Sequence, residues 1–127
     1  MIAYRQTHDI DLDQLAELLL TGGWERRERT RLAQEVAGSR YVVSAWDGAR
    51  LVGFARAISD GVRNAYVSTV VVHPAYRGKG IGGEMIARLL AGKEHIAFVL
   101  HARPPVKPFY AKAGFSNAED MMRRPRR

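Results

Sequence analysis

The sequence predicts a single mixed domain of the α/β (α+β) class, and three observations lead to that prediction. Its 127 residues fit one domain with one hydrophobic core. Segments with strand and helix periodicity follow one another in the order β-α-α-β-β-β-α-β-α, with a further short strand expected near the end. At the centre of that order, the most β-prone stretch leads through a glycine-rich turn into an amphipathic helix, and the three elements form one unit.

The N-terminal third is predicted to contain one strand, over residues 2–5, and two helices. The first helix opens at Ile10, because acidic residues crowd its first turn and leucines recur at helical spacing. The Gly22-Gly23 pair ends it. A second helix is predicted over residues 25–37, with Gly38 as its end.

The rest of the chain alternates between strands and helices. The Asp47-Gly48 dipeptide is the turn expected between two hairpin strands. The stretch Ile96–Leu100 is short and wholly apolar, which is typical of a strand that is buried on both faces. The remaining predicted elements are strands over 41–46, 50–58 and 65–72, helices over 81–90 and 105–113, and one short strand within 117–122.

The composition is that of an ordinary globular protein. It is 46% hydrophobic and 26% charged, and no apolar run approaches the roughly 20 residues that a membrane span needs. The N-terminus lacks the apolar stretch of a signal peptide, so a cytoplasmic protein without a membrane partner is expected. Because the chain has no cysteine, thiolate zinc sites and cysteine nucleophiles are excluded, and no metal site is predicted.

The net charge of +7 is compatible with a nucleic acid or with a small polyanionic ligand. The arginines of residues 26–31 are interleaved with Glu25, Glu28 and Glu35, which is typical of a solvated helix face with local ion pairs. The basic tail, residues 123–127, is predicted to be disordered. Arg77 and Lys79, in contrast, lie inside the glycine-rich turn, so a small polyanion is favoured over nucleic acid.

The turn Arg77-Gly78-Lys79-Gly80-Ile81-Gly82-Gly83 contains four glycines in six residues. Glycine weakens a helix, so this density at the start of one requires an explanation. Glycines let a ligand approach the backbone closely, and the first N–H groups of a helix have no partner within it. These donors, the helix dipole and two cationic side chains predict an anion site, and a diphosphate fits it.

Residues farther along the chain bear on which diphosphate this is. Gly78, Gly80 and Gly83 also satisfy the dinucleotide pattern G-x-G-x-x-G, which is a weak signal alone. That pattern expects an acidic residue at the end of the next strand, where this chain has His101-Ala102-Arg103. A Walker-type loop is excluded, because no Gly-Lys pair is followed by Ser or Thr.

Two segments together resemble the GNAT superfamily of acyl-CoA-dependent N-acetyltransferases. The segment V-H-P-A-Y-R-G-K-G-I-G, residues 72–82, is similar to its pyrophosphate-binding motif R/Q-x-x-G-x-G/A. The segment P-F-Y-A-K-A-G-F, residues 108–115, is similar to its F-Y-x-K-x-G-F segment. The resemblance implies a mixed, mostly antiparallel sheet with a central splayed strand and flanking helices, and an N-acetyltransferase that uses acetyl-CoA.

The resemblance also implies roles for individual residues. A backbone N–H, that of Val72, would stabilise the oxyanion formed during acetyl transfer. Tyr110 matches the tyrosine that protonates the departing thiolate, and with an ordinary pKa of about 10 it is protonated at neutral pH. The residues implied to bind acetyl-CoA are Val70, Val71 and Val72 for the pantetheine arm, and Arg77, Gly78, Lys79, Gly80, Ile81, Gly82 and Gly83 for the pyrophosphate.

The general base is left open by the sequence. Many members of the superfamily carry a carboxylate on the strand before the turn, but this chain has Tyr66, Ser68 and Thr69 there. His101 is the preferred side chain, because it ends a strand near the expected cleft. His73 is expected to cap the turn instead. The full set of candidates is His101, Asp60, His73, or a water molecule held by Tyr66 and Ser68.

Two departures from the family pattern define the alternatives. The missing carboxylate allows a non-catalytic acyl-CoA-binding module instead of an enzyme. The segment after Phe115 supplies one short strand at most, so a partner chain is expected to complete the sheet in a homodimer. The acceptor, a small amine or an amine of a protein, is not specified. Trp24 and Trp46 either line its pocket or belong to the core.

Overall fold

The computed structural model describes residues 1–126. Its elements are β1 (Ile2–Arg5), α1 (Leu12–Thr21), α2 (Arg29–Ala37), β2 (Tyr41–Asp47), β3 (Arg50–Ser59), β4 (Asn64–Val72), α3 (Ile81–Leu90), β5 (Ala97–Leu100) and α4 (Lys107–Lys112). One five-stranded sheet has the order β1-β2-β3-β4-β5, antiparallel except between β4 and β5, which run parallel. The predicted fold class is confirmed. No helix within residues 1–126 combines the length and apolarity needed to cross a bilayer.

Each face of the sheet carries its own hydrophobic core. On one face, α1 and α2 bury Leu15 and Leu32 against Phe54 of β3. On the other face, α3 buries Met85 and Ile86, and α4 packs beside it. The strands contribute to both cores because successive side chains of a strand point to opposite faces.

Three helices begin later than predicted. Helix α1 starts at Leu12 rather than Ile10, because Asp11 is its N-cap and accepts from the N–H groups of Asp13 and Gln14. Helix α2 starts at Arg29 rather than Glu25, because residues 25–28 offer no apolar side chain to bury and Glu28 makes no side-chain cap. Helix α4 spans Lys107–Lys112 rather than 105–113, because the residues before it form a separate 3₁₀ turn, Pro104–Val106. Proline has no N–H group and is tolerated only in the first turn of an α-helix.

The C-terminal edge of the sheet also differs from the prediction. β5 is half-buried rather than buried on both faces, because it is the edge strand and Ala97 is exposed. No strand forms between 113 and 126 in the described part of the chain. The predicted strand contains Asn117 and Asp120, residue types that are depleted in strands. Residues 123–126 are exposed without regular structure, and Arg127 of the predicted disordered tail lies outside the described residues.

Substitution of Leu15 tests the packing of α1 on the sheet. Leu15 is completely buried, so Leu15→Ala loses transfer free energy and leaves a cavity. We expect it to lower the free energy of unfolding by about 3 kcal/mol. Leu12→Ala, at a half-buried position of the same helix, is the matched control and should cost clearly less. Urea denaturation at neutral pH measures both, and equal losses would contradict this packing.

Candidate active site

The turn between β4 and α3 leaves the first N–H groups of α3 without main-chain partners. Gly78 and Gly80 have φ angles of 77° and 81°, a left-handed conformation that glycine adopts at little cost. Gly80 precedes the helix, and no side chain caps it. The Glu84 N–H donates back to the Gly80 carbonyl at 3.0 Å. The N–H groups of residues 81–83 lie ahead of that bond and are oriented to receive an anion.

The glycines of this turn serve two different purposes. A Cβ at Gly82 would lie 3.1 Å from Cζ of Phe109 and 3.6 Å from Cγ2 of Val72. Gly82 therefore lets α4 pack directly on the first turn of α3. At the other three glycines a Cβ would meet no atom within 4 Å. A ligand can therefore approach the backbone at those three positions.

The cationic side chains of the turn are held by contacts with their surroundings. Nε of Arg77 donates to the Val72 carbonyl at 3.1 Å, which places the guanidinium at the end of β4. The Lys79 ammonium lies 5.5 Å from the ring centre of Tyr76. The Tyr76 hydroxyl donates to the Asp47 carboxylate, and this bond raises the pKa of Tyr76 above its ordinary value. The turn is thereby tied to the end of β2.

Beyond Val67, β4 has an open backbone edge. It pairs with β5 only over Asn64–Val67, whereas it pairs with β3 as far as Val72. The register with β3 shifts at Ser68, which is the extra residue of a β-bulge. The bulge lies where β4 and β5 separate. The predicted splayed strand is therefore β4, and it opens at Ser68.

The direction of the backbone groups on this edge alternates along β4. The His73 N–H donates to the Val52 carbonyl of β3 at 2.8 Å. Because alternate residues of an antiparallel strand face the same neighbour, Val71 also turns its backbone groups towards β3. Those of Val70 and Val72 face the open edge. The side chain of Val71 is buried on the α1 side, and its predicted contact with the pantetheine arm stays a prediction.

A cavity of about 1070 Å³ lies beside β5. His101 and Tyr110 both line it, as does Tyr66 of β4. The exposed His101 ring stands edge-on to the Tyr66 ring, with 5.8 Å between the centroids. Tyr110 is half-buried beside Phe115. Burial raises the pKa of Tyr110 above its ordinary value.

The glycine-rich turn does not line this cavity, and α4 connects the two. Phe109 contacts the turn at Gly82, while its neighbour Tyr110 borders the cavity. Their rings stand edge to face, with 4.9 Å between the centroids. The neighbouring residues Phe109 and Tyr110 therefore link the predicted pyrophosphate-binding turn to the cavity that the predicted catalytic residues line. The sequence motif around Tyr110 did not predict that Phe109 would contact the turn at Gly82.

Two of the four candidate bases are already committed to other bonds. Asp60 accepts from the N–H groups of Val62 and Arg63, at 2.8 and 3.0 Å, and these bonds lower its pKa. A carboxylate with a lowered pKa is a weaker base than an ordinary one, so these bonds make Asp60 less suited to that role. Nδ1 of His73 accepts from the Ala75 N–H at 3.1 Å. His73 therefore caps the 3₁₀ turn Pro74–Tyr76, as predicted.

Of the two tryptophans, Trp46 belongs to the core. It is 5% exposed, and its Nε1 donates to Oγ of Ser44 at 2.8 Å. Trp24 packs at the rim of the same core, over Gly22. Trp24 is half-buried, so it alone of the two keeps an accessible surface at the connection between α1 and α2.

A buried arginine on β3, Arg56, was not predicted from the sequence. Its exposed fraction is 9%, and its guanidinium contacts Glu35 of α2. Glu35 is itself largely covered, with 26% of its side chain exposed, so it does not belong to a solvated helix face as predicted. A single charged residue within the apolar run 51–58 was the available signal.

The fold and the site together define a class of acyl-CoA-dependent transferases, and comparison with known proteins agrees. A family model described as "Acetyltransferase (GNAT) domain" matches residues 22–124. An uncharacterized N-acetyltransferase, ycf52-like, from Prochlorococcus marinus is 35% identical over 89% of this chain and 67% of its own length. The chloroplastic serotonin N-acetyltransferase 2 of rice (Oryza sativa subsp. japonica) is 36% identical over 94% of this chain and 63% of its own length.

Among solved structures, a GNAT-family acetyltransferase from Streptococcus pneumoniae superposes with a TM-score of 0.81. It is 23% identical, and the match covers 100% of both chains, which supports the fold. The chain therefore belongs to the GNAT family of N-acetyltransferases, a family that uses acetyl-CoA. It spans about two thirds of the length of the two relatives named above.

The raised pKa of Tyr110 predicts a loss of stability in alkali. Below pH 10, Tyr110 is protonated in the folded and the unfolded chain, so its ionisation does not change the free energy of unfolding. As the pH rises above 10, the unfolded chain ionises first and is favoured. The free energy of unfolding of the wild type should therefore fall relative to that of Tyr110→Phe. Urea denaturation at pH 9 and 11 measures the difference, and a constant difference would show an ordinary pKa.

Proposed function

We propose that this chain transfers the acetyl group of acetyl-CoA to a primary amine by direct attack in a ternary complex. The observation that carries the proposal is that the first residue of the glycine-rich turn contacts the end of the open strand edge. Nε of Arg77 donates to the Val72 carbonyl at 3.1 Å. A diphosphate on the turn would therefore place a following pantetheine arm along the Val70–Val72 edge.

The N–H groups of residues 81–83, together with Arg77 and Lys79, would bind the pyrophosphate. The Val70 backbone would bind the pantetheine arm, because it faces the open edge. The Val72 N–H would donate to the thioester oxygen as negative charge develops on it. The Val72 carbonyl already accepts from Arg77, which fixes the orientation of that peptide group.

Tyr110 would protonate the thiolate that leaves when the amine nitrogen displaces sulfur at the acetyl carbon. The phenol is protonated at neutral pH, so it has a proton to donate. His101 would accept the proton that the amine loses, since it borders the same cavity as Tyr110. Water held by Tyr66 is the alternative acceptor of that proton.

The acceptor of the acetyl group is proposed only as a chemical class, a small amine or an amine of a protein. The name of the rice relative makes arylalkylamines the first compounds to include in a panel. The cytoplasmic location and the homodimer stay predictions. The rice relative is chloroplastic, and measurement of mass in solution tests the dimer.

One observation favours a second function, a non-catalytic acyl-CoA-binding module. None of Tyr66, Ser68 and Thr69 on β4 is a carboxylate, and Asp60 is committed elsewhere. Such a module would bind acetyl-CoA without releasing free thiol in the presence of any amine. Thiol detection across an amine panel separates the two functions.

Substitution of Gly80 tests the pyrophosphate site. Ala at Gly80 must adopt a φ of 81°, which costs about 1 kcal/mol and disturbs the N–H groups that follow. We expect the Kd for acetyl-CoA to rise about tenfold, equivalent to roughly 1.4 kcal/mol. Gly92→Ala is the matched control, because Gly92 has a φ of 72° and equally open surroundings after α3. Equal weakening by both variants in calorimetric titration would refute a pyrophosphate site at the turn.

Substitution of Tyr110 tests its role as the acid. Tyr110→Phe keeps the packing against Phe115 and removes only the hydroxyl. We expect kcat to fall about 100-fold, as for loss of a general acid, with little change in the KM for acetyl-CoA. Steady-state assays with thiol detection measure both constants. Unchanged kcat with an active acceptor would mean that Tyr110 serves only in packing.

A further inference from the structure

We infer that Arg56 is a positioning residue. It fixes the point at which β4 separates from β5 and thereby orients the Val72 N–H. The inference rests on the proposed function, because it concerns the backbone group that would stabilise the oxyanion. It assigns a role to a buried cation that the proposed reaction does not itself use.

The position of Arg56 in the sheet links it to the β-bulge. It lies on β3 opposite Thr69, and the register shift follows immediately between Arg56 and Ala57. The bulged residue, Ser68, has no Cα partner on β3. Pairing with β3 holds its neighbours Val67 and Thr69, whereas Ser68 itself is tied to β3 through its side chain.

Arg56 supplies the side-chain bonds to the bulge from the neighbouring strand. Its Nη2 donates to Oγ of Ser68 at 3.0 Å, and its Nε donates to Oγ1 of Thr69 at 3.2 Å. The guanidinium is planar and rigid, so the two contacts fix the two hydroxyls relative to each other. A shift of the bulge by one residue would break both contacts.

The other side of the guanidinium is anchored to α2. Nη1 of Arg56 donates to Oγ of Ser39 at 3.1 Å, and Nη2 lies 3.4 Å from Oε1 of Glu35. The same Oε1 also forms an ion pair with Nη1 of Arg27, at 3.3 Å, in the connection between α1 and α2. A continuous polar chain therefore runs from Arg27 through Glu35 and Arg56 to the bulge.

Burying the Arg56 guanidinium costs free energy, so this arrangement is stable only when the donors of the guanidinium are bonded. Burial lowers the pKa of Arg56, and the Glu35 charge opposes that shift. An arginine this deeply buried is tolerated only when its donors are bonded. Four residues satisfy it, namely Ser68 and Thr69 on β4, Glu35 on α2 and Ser39 just after that helix, so movement of β4 at the bulge would leave donors unpaired. Arg56 thus holds the bulge in one position.

The test replaces Arg56 by methionine, which keeps much of the volume and removes the bonds. If Arg56 positions the Val72 N–H, kcat should fall at least about tenfold, since small misplacement of a catalytic group is costly. The Kd for acetyl-CoA should rise less than kcat falls, because the pyrophosphate turn is untouched and only the proposed pantetheine contact at Val70 would weaken. Arg56→Lys, which restores the charge, should recover part of kcat. Arg29→Met, at an exposed ion pair with Asp13, is the matched control.

Thr69→Val is the milder variant should Arg56→Met fail to fold. It removes one hydroxyl acceptor at nearly constant shape and should give the same split between kcat and Kd, at smaller amplitude. Equal loss of kcat and of acetyl-CoA affinity, or an unchanged kcat in the folded Arg56→Met protein, would overturn the inference.

A second readout does not depend on activity. In ¹H–¹⁵N spectra, the Val70 and Val72 amide signals should shift in Arg56→Met and stay in place in Arg29→Met. If the wild type transfers no acetyl group to any amine, the proposed function fails, yet these signals still decide whether Arg56 positions the strand. Unmoved signals in the folded Arg56→Met protein would refute the inference.

Discussion

The separation of β4 from β5 is the feature on which the rest of the site depends. Parallel pairing stops at Val67, while the antiparallel pairing with β3 continues to Val72. An interior strand thereby has unpaired backbone groups on one side over its last residues. Elsewhere in a sheet such groups would be satisfied by a neighbouring strand. Here they form a polar edge that leads from the middle of the sheet to the glycine-rich turn.

The residues around this edge fix it from both faces of the sheet. On the α3 side, Gly82 allows Phe109 and Val72 to approach, so that α4 packs against the turn. On the α2 side, Arg56 bonds the bulge. The Tyr76 hydroxyl and the Asp47 carboxylate tie the turn to the end of β2. Contacts from three parts of the chain therefore converge on a short length of backbone.

Much of the fold could be predicted because local sequence patterns determine it. The Asp47-Gly48 hairpin, the glycine ends of the first two helices and the amphipathic α3 each carry their signal within a few residues. The glycine-rich turn was recognisable for the same reason. Its two left-handed glycines, Gly78 and Gly80, show why those positions require glycine.

The features that could not be predicted depend on contacts between distant residues. The orientation of Val71 follows from its pairing with β3, which no local pattern specifies. Arg56 and Glu35 are 21 residues apart, so the sequence gives each only the appearance of a surface charge. The exposure of β5 follows from its place at the sheet edge. The apolar sequence of residues 96–100 does not specify which sides of the strand other elements will cover.

The two hydrophobic cores described above lie on opposite faces of the sheet and are built from different helices. Under the proposed function, helices α3 and α4 serve the acetyl donor, whereas α1, α2 and their connection face the other side. Changes in the first two helices can therefore accumulate without disturbing the donor's half of the molecule. Under the proposed function, exchange of about the first 40 residues would let one scaffold acquire new acceptors. An exchanged segment would have to preserve the contact between Arg56 and Glu35.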